Sequence, residues 1–253
     1  MKNKKAQVTL FIILAIFIVA VIVLIAYFSG NLKFLDSGFD SPEDFLQDCI
    51  SNSIIEAEKI VLESNGYPEK DFNNTILYNS EKIPYLCSVS EFYSPCVPQE
   101  PAFLNKIRNI IQNKVARDTE ECYSALDSEW GRKGYIVTKN ASKTTVSINK
   151  DYIKVVVDKT IFLTKDEDST KIQNPEVRHP SALYDLIKMA QTIVNYESTI
   201  CEFNYLNWMK YDHKIFINRF TASDQTKIYT LRDSITNQQI KFATKSCALP
   251  AGI

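Results

Sequence analysis

Glycine is scarce in this chain, with six residues among 253, and histidine occurs only twice. A tight phosphate-binding loop needs glycines, and the sequence has neither a Gly-rich phosphate loop nor a dinucleotide fingerprint. His179 and His213 have no Gly-x-Ser-x-Gly nucleophile motif nearby and no partner at metal-ligand spacing. The sequence therefore predicts no catalytic residue, no cofactor and no metal site.

The chain also has no basic stripe. Three of its 29 Lys and Arg residues are Lys2, Lys4 and Lys5, which leaves 26 basic side chains against 30 acidic ones. This remainder has a formal charge of about −4. Nucleic-acid binding needs basic residues that neutralise phosphates, so a nucleic-acid partner is not expected. Fourteen Phe and thirteen Tyr indicate a folded rather than a disordered domain.

No acidic residue precedes Asp36, and residues 8–28 form an apolar run that is interrupted only by Thr9. A helix of this length would measure roughly 31 Å and match a hydrocarbon core of about 30 Å. The sequence therefore predicts a single transmembrane helix over 8–28 that contacts membrane lipid. With the lysines inside, residues 1–7 would be a cytoplasmic tail and the main domain would be extracytoplasmic at the cell membrane. A cleaved secretory signal is the alternative, but its apolar core is normally only about 7–15 residues long.

The N-terminal segment carries a second, more specific pattern. Lys4 and Lys5 precede Ala6, Gln7 and the apolar run, and this arrangement resembles the class III signal of archaeal prepilin-like proteins. The resemblance implies a cut between Ala6 and Gln7, with the helix retained. The sequence departs from that family at Ala6, where glycine is usual, and at Phe11, where the family usually has an acidic residue.

All six cysteines follow the predicted anchor, and their even number predicts up to three disulfides in an oxidising compartment. Fifteen complete pairings are possible, and the sequence does not choose among them. A Cys87–Cys96 bond would close a short loop around Pro95. A Cys49–Cys122 bond would join two predicted helices, and a Cys201–Cys247 bond would clamp the C-terminal part.

Periodicity predicts an α+β domain after a linker over 29–40. Ser41 and Pro42 begin an amphipathic helix that ends near Gly66, and a second helix begins at Glu100 and Pro101. The rest is predicted as short strands near 76–78 and 83–89, a meander of three antiparallel strands over 135–162, an acidic turn over 166–168, a helix from His179, and strands over 214–220, 227–232 and 239–244. We expect two lobes, over 41–174 and 175–253, and an antiparallel sheet.

The whole pattern resembles membrane-anchored, prepilin-signal-like surface proteins of small-genome archaea of the DPANN type. The residues that carry this resemblance are the Gln-Val-Thr-Leu-Phe anchor from Gln7, the Phe-Leu-Gln-Asp-Cys helix start from Phe45, the Ile-Pro-Tyr-Leu segment 83–86, and the Cys122 helix that leads into the Val-rich strands. The resemblance implies the placement and the order of elements, and it supplies no active site. Asn73 and Asn140 begin glycosylation sequons.

Three functions remain open on the sequence alone. The first is a non-enzymatic cell-surface domain with a binding or structural role, displayed by its anchor. The second is a pilin-like subunit that self-assembles through the apolar helix, although the segment 30–40 interrupts the helix that such subunits continue. The third is an envelope enzyme, or a sensor that works through a protein partner.

Overall fold

The structure, a computed structural model, describes residues 18–19, 41–68, 74–140 and 143–250. The chain divides into two units, Met1–Ser41 and Pro42–Ile253, and nearly all described residues belong to the second. The predicted tail over 1–7, the linker over 29–40 and the residues Ala6, Gln7 and Asn73 lie outside the described residues.

The predicted fold class needs a correction. We expected a transmembrane helix over 8–28 in front of an antiparallel α+β domain. Among the described residues no helix is long and apolar enough to cross a membrane. Of residues 8–28 only Ile18 and Val19 are described, and both are helical. The domain is α+β, but its largest sheet is mixed, because one strand pair is parallel.

The described residues contain four helices, and each of the three long ones buries one face and leaves charged residues on the other. Both helices predicted before residue 135 are confirmed. The third predicted helix begins later than expected, because His179 and Pro180 belong to a strand. The helices are α1 (Pro42–Glu63), α2 (Phe103–Arg132), α3 (Leu183–Ile200) and the short α4 (Tyr205–Met209).

Helices α1 and α2 lie antiparallel. The Cys49–Cys122 disulfide joins the start of α1 to the later part of α2, and the rings of Phe45 and Trp130 meet near the same end with centroids 5.5 Å apart. At the other end, Gly66 has a φ of +83°, and a Cβ there would lie 2.7 Å from Ile107 Cδ1. Only glycine fits this left-handed turn without displacing the core of α2.

Twelve strands are present in the described residues, and most lie where the alternation of apolar residues predicts them. They are β1 (Thr75–Tyr78), β2 (Glu81–Ser88), β3 (Val97–Pro98), β4 (Ile136–Lys139), β5 (Lys143–Asn149), β6 (Tyr152–Asp158), β7 (Thr160–Lys165), β8 (Asp168–Gln173), β9 (Glu176–Pro180), β10 (Ile215–Thr221), β11 (Lys227–Asp233) and β12 (Gln239–Lys245).

The largest sheet has the order β1-β2-β12-β11-β10, and β3 pairs with Cys87 and Ser88 at the end of β2. Strands β10, β11 and β12 form an antiparallel meander, whereas β12 and β2 run parallel and pair Thr244 with Cys87. Strands from both sides of residue 175 therefore share one sheet. Helix α3 covers this sheet with a buried face that includes Leu186, Ile193 and Val194.

Of the predicted three-stranded meander over 135–162, the antiparallel pair β5 and β6 is confirmed, but β4 does not pair with β5. The stretch from Tyr152 to Phe162 is broken at Lys159, so β6 pairs with β5 and β9, while β7 pairs with β4 and β8. Lys159 is buried, its Nζ lies 3.1 Å from Glu120 Oε2, and it sits over the ring of Tyr123. Glu120 and the ring of Tyr123 hold the charged side chain of Lys159 inside the domain, and this arrangement fixes the break between β6 and β7.

Candidate functional site

Four polar side chains meet where α1 passes the connection between β9 and α3. Glu58 projects from the buried face of α1, His179 is in β9, Ser181 precedes α3, and Gln238 precedes β12. We call these four residues the Glu58 cluster. It contains one of the two histidines of the sequence, and it brings together residues from three separate parts of the chain.

The hydrogen bonds of the Glu58 cluster are directed inward. Ser181 Oγ donates to Glu58 Oε1 and accepts the backbone N–H of Leu183 at 3.1 Å, so it also holds the first turn of α3. His179 Nε2 lies 3.5 Å from Glu58 Oε2. Gln238 Oε1 accepts the N–H of Ala182 at 2.8 Å. Together these bonds tie the start of α3 to α1 and to the β11–β12 turn.

Burial raises the pKa of Glu58, and the bonds and charge supplied by Ser181 and His179 only partly oppose this effect. Ser181 is 3% exposed, and its hydroxyl donates to Glu58 rather than to His179. Nucleophilic catalysis needs a hydroxyl that is bonded to a base and open to substrate. In this geometry Ser181 meets neither requirement, and the cluster can hold or release a proton within the core.

The sequence interpretation missed this cluster, because it assigned His179 to a helix start. One signal was present: Glu58 occupies an apolar position of α1, four residues after Ile54 and three before Val61. The other histidine, His213, is exposed in the loop before β10, where its carbonyl accepts a hydrogen bond from Ser234 at 3.2 Å.

A second buried network lies at the C-terminal end of α3. Glu197 is fully buried, accepts the hydroxyl of Tyr229 at 2.6 Å, and pairs with Lys227 Nζ at 2.8 Å. Burial, reinforced by the charge of Glu197, raises the pKa of Tyr229. Burial also raises the pKa of Glu202, but bonds from Arg219 and Lys227 outweigh it and hold that pKa below its ordinary value. This network fastens α3 to β11.

Beyond this network, a groove of about 380 Å³ opens between the end of α3 and the short helix α4. This volume lies within the range of small-molecule sites, about 300–1,000 Å³. Aromatic rings and small amide side chains make up most of its wall. We call it the aromatic groove, and its residues are Tyr196, Phe203, Asn204, Asn207, Trp208, Tyr211 and Asp212.

The floor of the aromatic groove is rigid. Phe203 is 2% exposed, and its ring lies 5.3 Å from that of Tyr196 and 6.0 Å from that of Trp208, between centroids. Asn204 caps α4 by accepting the N–H of Asn207 at 3.0 Å. The Cys201–Cys247 disulfide anchors the chain between α3 and Phe203. The groove is therefore built before any ligand arrives.

The rim of the aromatic groove includes polar groups that have no hydrogen-bond partner among the described residues. Within the described residues, the side-chain amide of Asn207 and the hydroxyl of Tyr211 make no hydrogen bond, and both side chains are exposed. The indole N–H of Trp208 is buried and has no partner there either. No basic residue is among the lining residues, and Asp212 is their only charged member. The groove therefore favours a ligand that is not an anion.

A larger cleft of about 500 Å³ lies between α3 and the segment from β3 to the start of α2. Its walls carry both charges, on Glu100 and Lys188, and its lining residues include no exposed aromatic ring. Lys106 Nζ already bonds Glu100. The aromatic groove offers the more distinctive surface of the two.

All six cysteines form disulfides, and the three pairs considered from the sequence are confirmed: Cys49–Cys122, Cys87–Cys96 and Cys201–Cys247. Asn140 is exposed directly after β4, as an acceptor of glycosylation must be. In the described part of the chain no three His, Cys, Asp or Glu residues lie close enough together to hold a metal.

Comparison with known proteins gave no match to any protein-family model, to any curated protein or to any solved structure.

Proposed function

We propose that the folded part of this chain is a non-enzymatic binding domain that acts outside the cytoplasm, with the aromatic groove as its binding site. The observation that carries the proposal is the groove itself: a preformed surface with exposed rings and unpaired polar groups. Buried polar groups are normally hydrogen-bonded, so an unpaired indole N–H beside such a surface is a feature that requires a reason.

The cysteines support a location outside the cytoplasm. Each of the three disulfides closes a different part of the domain, and no cysteine among the described residues is left as a free thiol. Disulfides persist in oxidising compartments and are rare in reducing ones. Labelling of intact cells with a membrane-impermeant maleimide should therefore react with this chain only after an impermeant reductant is added. Labelling that needs cell disruption but no reductant would contradict the location.

The Glu58 cluster supports a role without catalysis. Its serine hydroxyl and its histidine both converge on the same carboxylate, and Ser181 is closed to solvent. The polar atoms there are used to fasten α3 to α1. The aromatic groove has a different character, because the side-chain amide of Asn207 and the hydroxyl of Tyr211 remain available to a partner.

The binding role is tested with the full chain and isolated envelopes of the cells that produce it. Wild-type protein should sediment with the envelopes, and a Trp208→Ala/Tyr211→Ala double variant should lose most of this binding. Phe92→Ala is the matched control, because Phe92 is also an exposed ring, at 51%, but lies outside the groove. Equal sedimentation of the double variant and the control would overturn the groove as the binding site.

A further inference from the structure

The side chains of the aromatic groove also limit the chemistry of its ligand. We propose that the aromatic groove binds a neutral saccharide chain, an inference that rests on the binding function proposed above. Three properties of the groove lead to this ligand: the open faces of its rings, the kind of polar group on its rim, and the sign of its charge.

The exposed rings call for a ligand with a flat, weakly polar face. Tyr211 is 83% exposed and Tyr196 is 44% exposed, while Trp208 is half-buried, with its ring centroid 6.0 Å from that of the buried Phe203. The face of an aromatic ring carries partial negative charge and attracts C–H bonds, which carry partial positive charge. A pyranose ring presents a face of such C–H bonds and keeps its hydroxyls at the edge.

The rim calls for a ligand that both donates and accepts hydrogen bonds. The Asn207 amide offers two donor hydrogens and an acceptor oxygen, the Tyr211 hydroxyl can do either, and Asp212 accepts. Asp212 Oδ1 already accepts the N–H of Lys214 at 2.9 Å, which fixes its carboxylate at the edge of the groove. Sugar hydroxyls are donors and acceptors at once and match this mixed set.

Charge excludes the polyanions. The residues lining the groove include an acid and no Lys or Arg, so a phosphate, a nucleic acid or a uronic-acid polymer would meet the charge of Asp212 and no basic side chain in the groove wall. A peptide fits less well than a sugar. It would press backbone N–H and C=O groups against ring faces, which satisfy the hydrogen bonds of those groups poorly.

The test uses the full chain with its disulfides formed, and cellohexaose, chitohexaose, maltohexaose and α-1,6-mannohexaose as probes. Titration calorimetry should show binding of at least one of these neutral hexasaccharides, and hexagalacturonate should not bind. The chain has two tryptophans, and Trp130 is buried beside Phe45. Binding should therefore change the fluorescence of Trp208, and the change should vanish in Trp208→Phe.

Variants show whether the binding uses the proposed contacts. Tyr211→Ala should raise the Kd about tenfold, since a stacked aromatic anchor is typical of binding hot spots. Tyr211→Phe should raise it only about threefold, because the ring remains and a single hydroxyl is lost. Phe92→Ala should leave the Kd unchanged.

Each other outcome has a defined meaning. Absence of binding to all four hexasaccharides, or binding that Tyr211→Ala leaves intact, overturns the saccharide proposal. If an immobilised library of neutral peptides binds in a Tyr211-dependent manner and the sugars do not, the ligand class is wrong but the binding function stands. If mass spectrometry shows that a bound hexasaccharide is cleaved, the non-enzymatic function fails while the ligand class survives.

Discussion

Helix α3 begins beside the Glu58 cluster and ends beside the aromatic groove, and the polar side chains at its two ends are used differently. At the first end, Ser181, His179 and Gln238 direct their polar atoms toward Glu58 or the helix start. At the second end, Asn207 and Tyr211 keep theirs toward solvent. Buried polar groups contribute to holding elements together only when they are paired. The difference separates a part of the molecule that stabilises the fold from a part that is free to bind.

The largest expected effect comes from the link between the groove and the rest of the domain. A Cys201→Ala/Cys247→Ala variant should lose about 4 kcal/mol of unfolding free energy, since chain entropy scales with the length of the closed loop. This disulfide spans 46 residues. Urea denaturation measures the loss, and envelope binding should fall with it because the bond anchors the chain ahead of Phe203.

The matched control is Cys87→Ala/Cys96→Ala. That disulfide spans only 9 residues, so the same reasoning gives a smaller loss, about 2.5 kcal/mol, and it lies outside the groove. Its envelope binding should match wild type at temperatures where the variant is folded. Equal loss of binding in both cysteine variants would mean that the groove does not depend on Cys201–Cys247.

At the other end of α3, Glu58→Ala should lower the unfolding free energy by about 3 kcal/mol, because it leaves Ser181 and His179 buried or half-buried without their shared acceptor. Glu63→Ala is the control on the same helix. The Glu63 side chain is 68% exposed and makes only a 3.8 Å surface pair with Lys59, so its loss should be within about 0.5 kcal/mol. A similar loss in both variants would remove the Glu58 cluster from the interactions that stabilise the fold.

A smaller effect should appear as a function of pH. Because burial raises the pKa of Glu58 in the folded protein above its unfolded value of 4.5, its contribution to stability is complete below that value and is lost as the pH rises through the folded pKa. Glu58→Gln stays neutral at every pH. The unfolding free energy of Glu58→Gln, measured relative to wild type, should therefore increase from acidic to neutral pH. A constant difference between the two would show that the pKa of Glu58 is the same in both states.

The smallest effect is expected for the exposed rim of the groove. Tyr211→Ala should change the unfolding free energy by less than about 0.5 kcal/mol, because surface substitutions away from packed contacts have little effect. Thermal melting monitored by circular dichroism measures it. A loss above about 2 kcal/mol would mean that Tyr211 stabilises the fold. The two ends of α3 would then no longer differ in the way proposed above.

Local periodicity was enough to predict the long elements. The apolar positions of α1 and α2 recur at three- and four-residue steps, and the strands β10, β11 and β12 alternate and are bounded by turn residues. The sequence left all fifteen complete cysteine pairings open, and the three pairs considered as candidates are the ones that the structure forms. What local patterns could not supply was the break at Lys159, because the apolar positions resume after it in the same register, at Ile161 after Val155 and Val157.

The candidate sites were predicted less well than the fold. Helix α4 has only five residues, which is too short for a periodic signal, so the aromatic groove could not be assembled from the sequence. The Glu58 cluster joins three distant segments, and only the charge on the apolar face of α1 marked it beforehand. Sites of this kind depend on tertiary contacts rather than on neighbours in the chain.

The parallel pairing of β12 with β2 has a consequence for how the domain reaches its native state. Strand β12 enters between β11, which directly precedes it in the chain, and β2, which lies far upstream. The segment after β12 is fastened to the first lobe by bonds from Cys96 N to Ser246 Oγ and from Cys247 N to Ser94 O. Contacts between strands so distant in sequence form slowly, since a long loop must close first. During synthesis the edges of β2 and β11 therefore stay open until β12 emerges, and a chain truncated before Gln239 would leave two sheet edges exposed to aggregation.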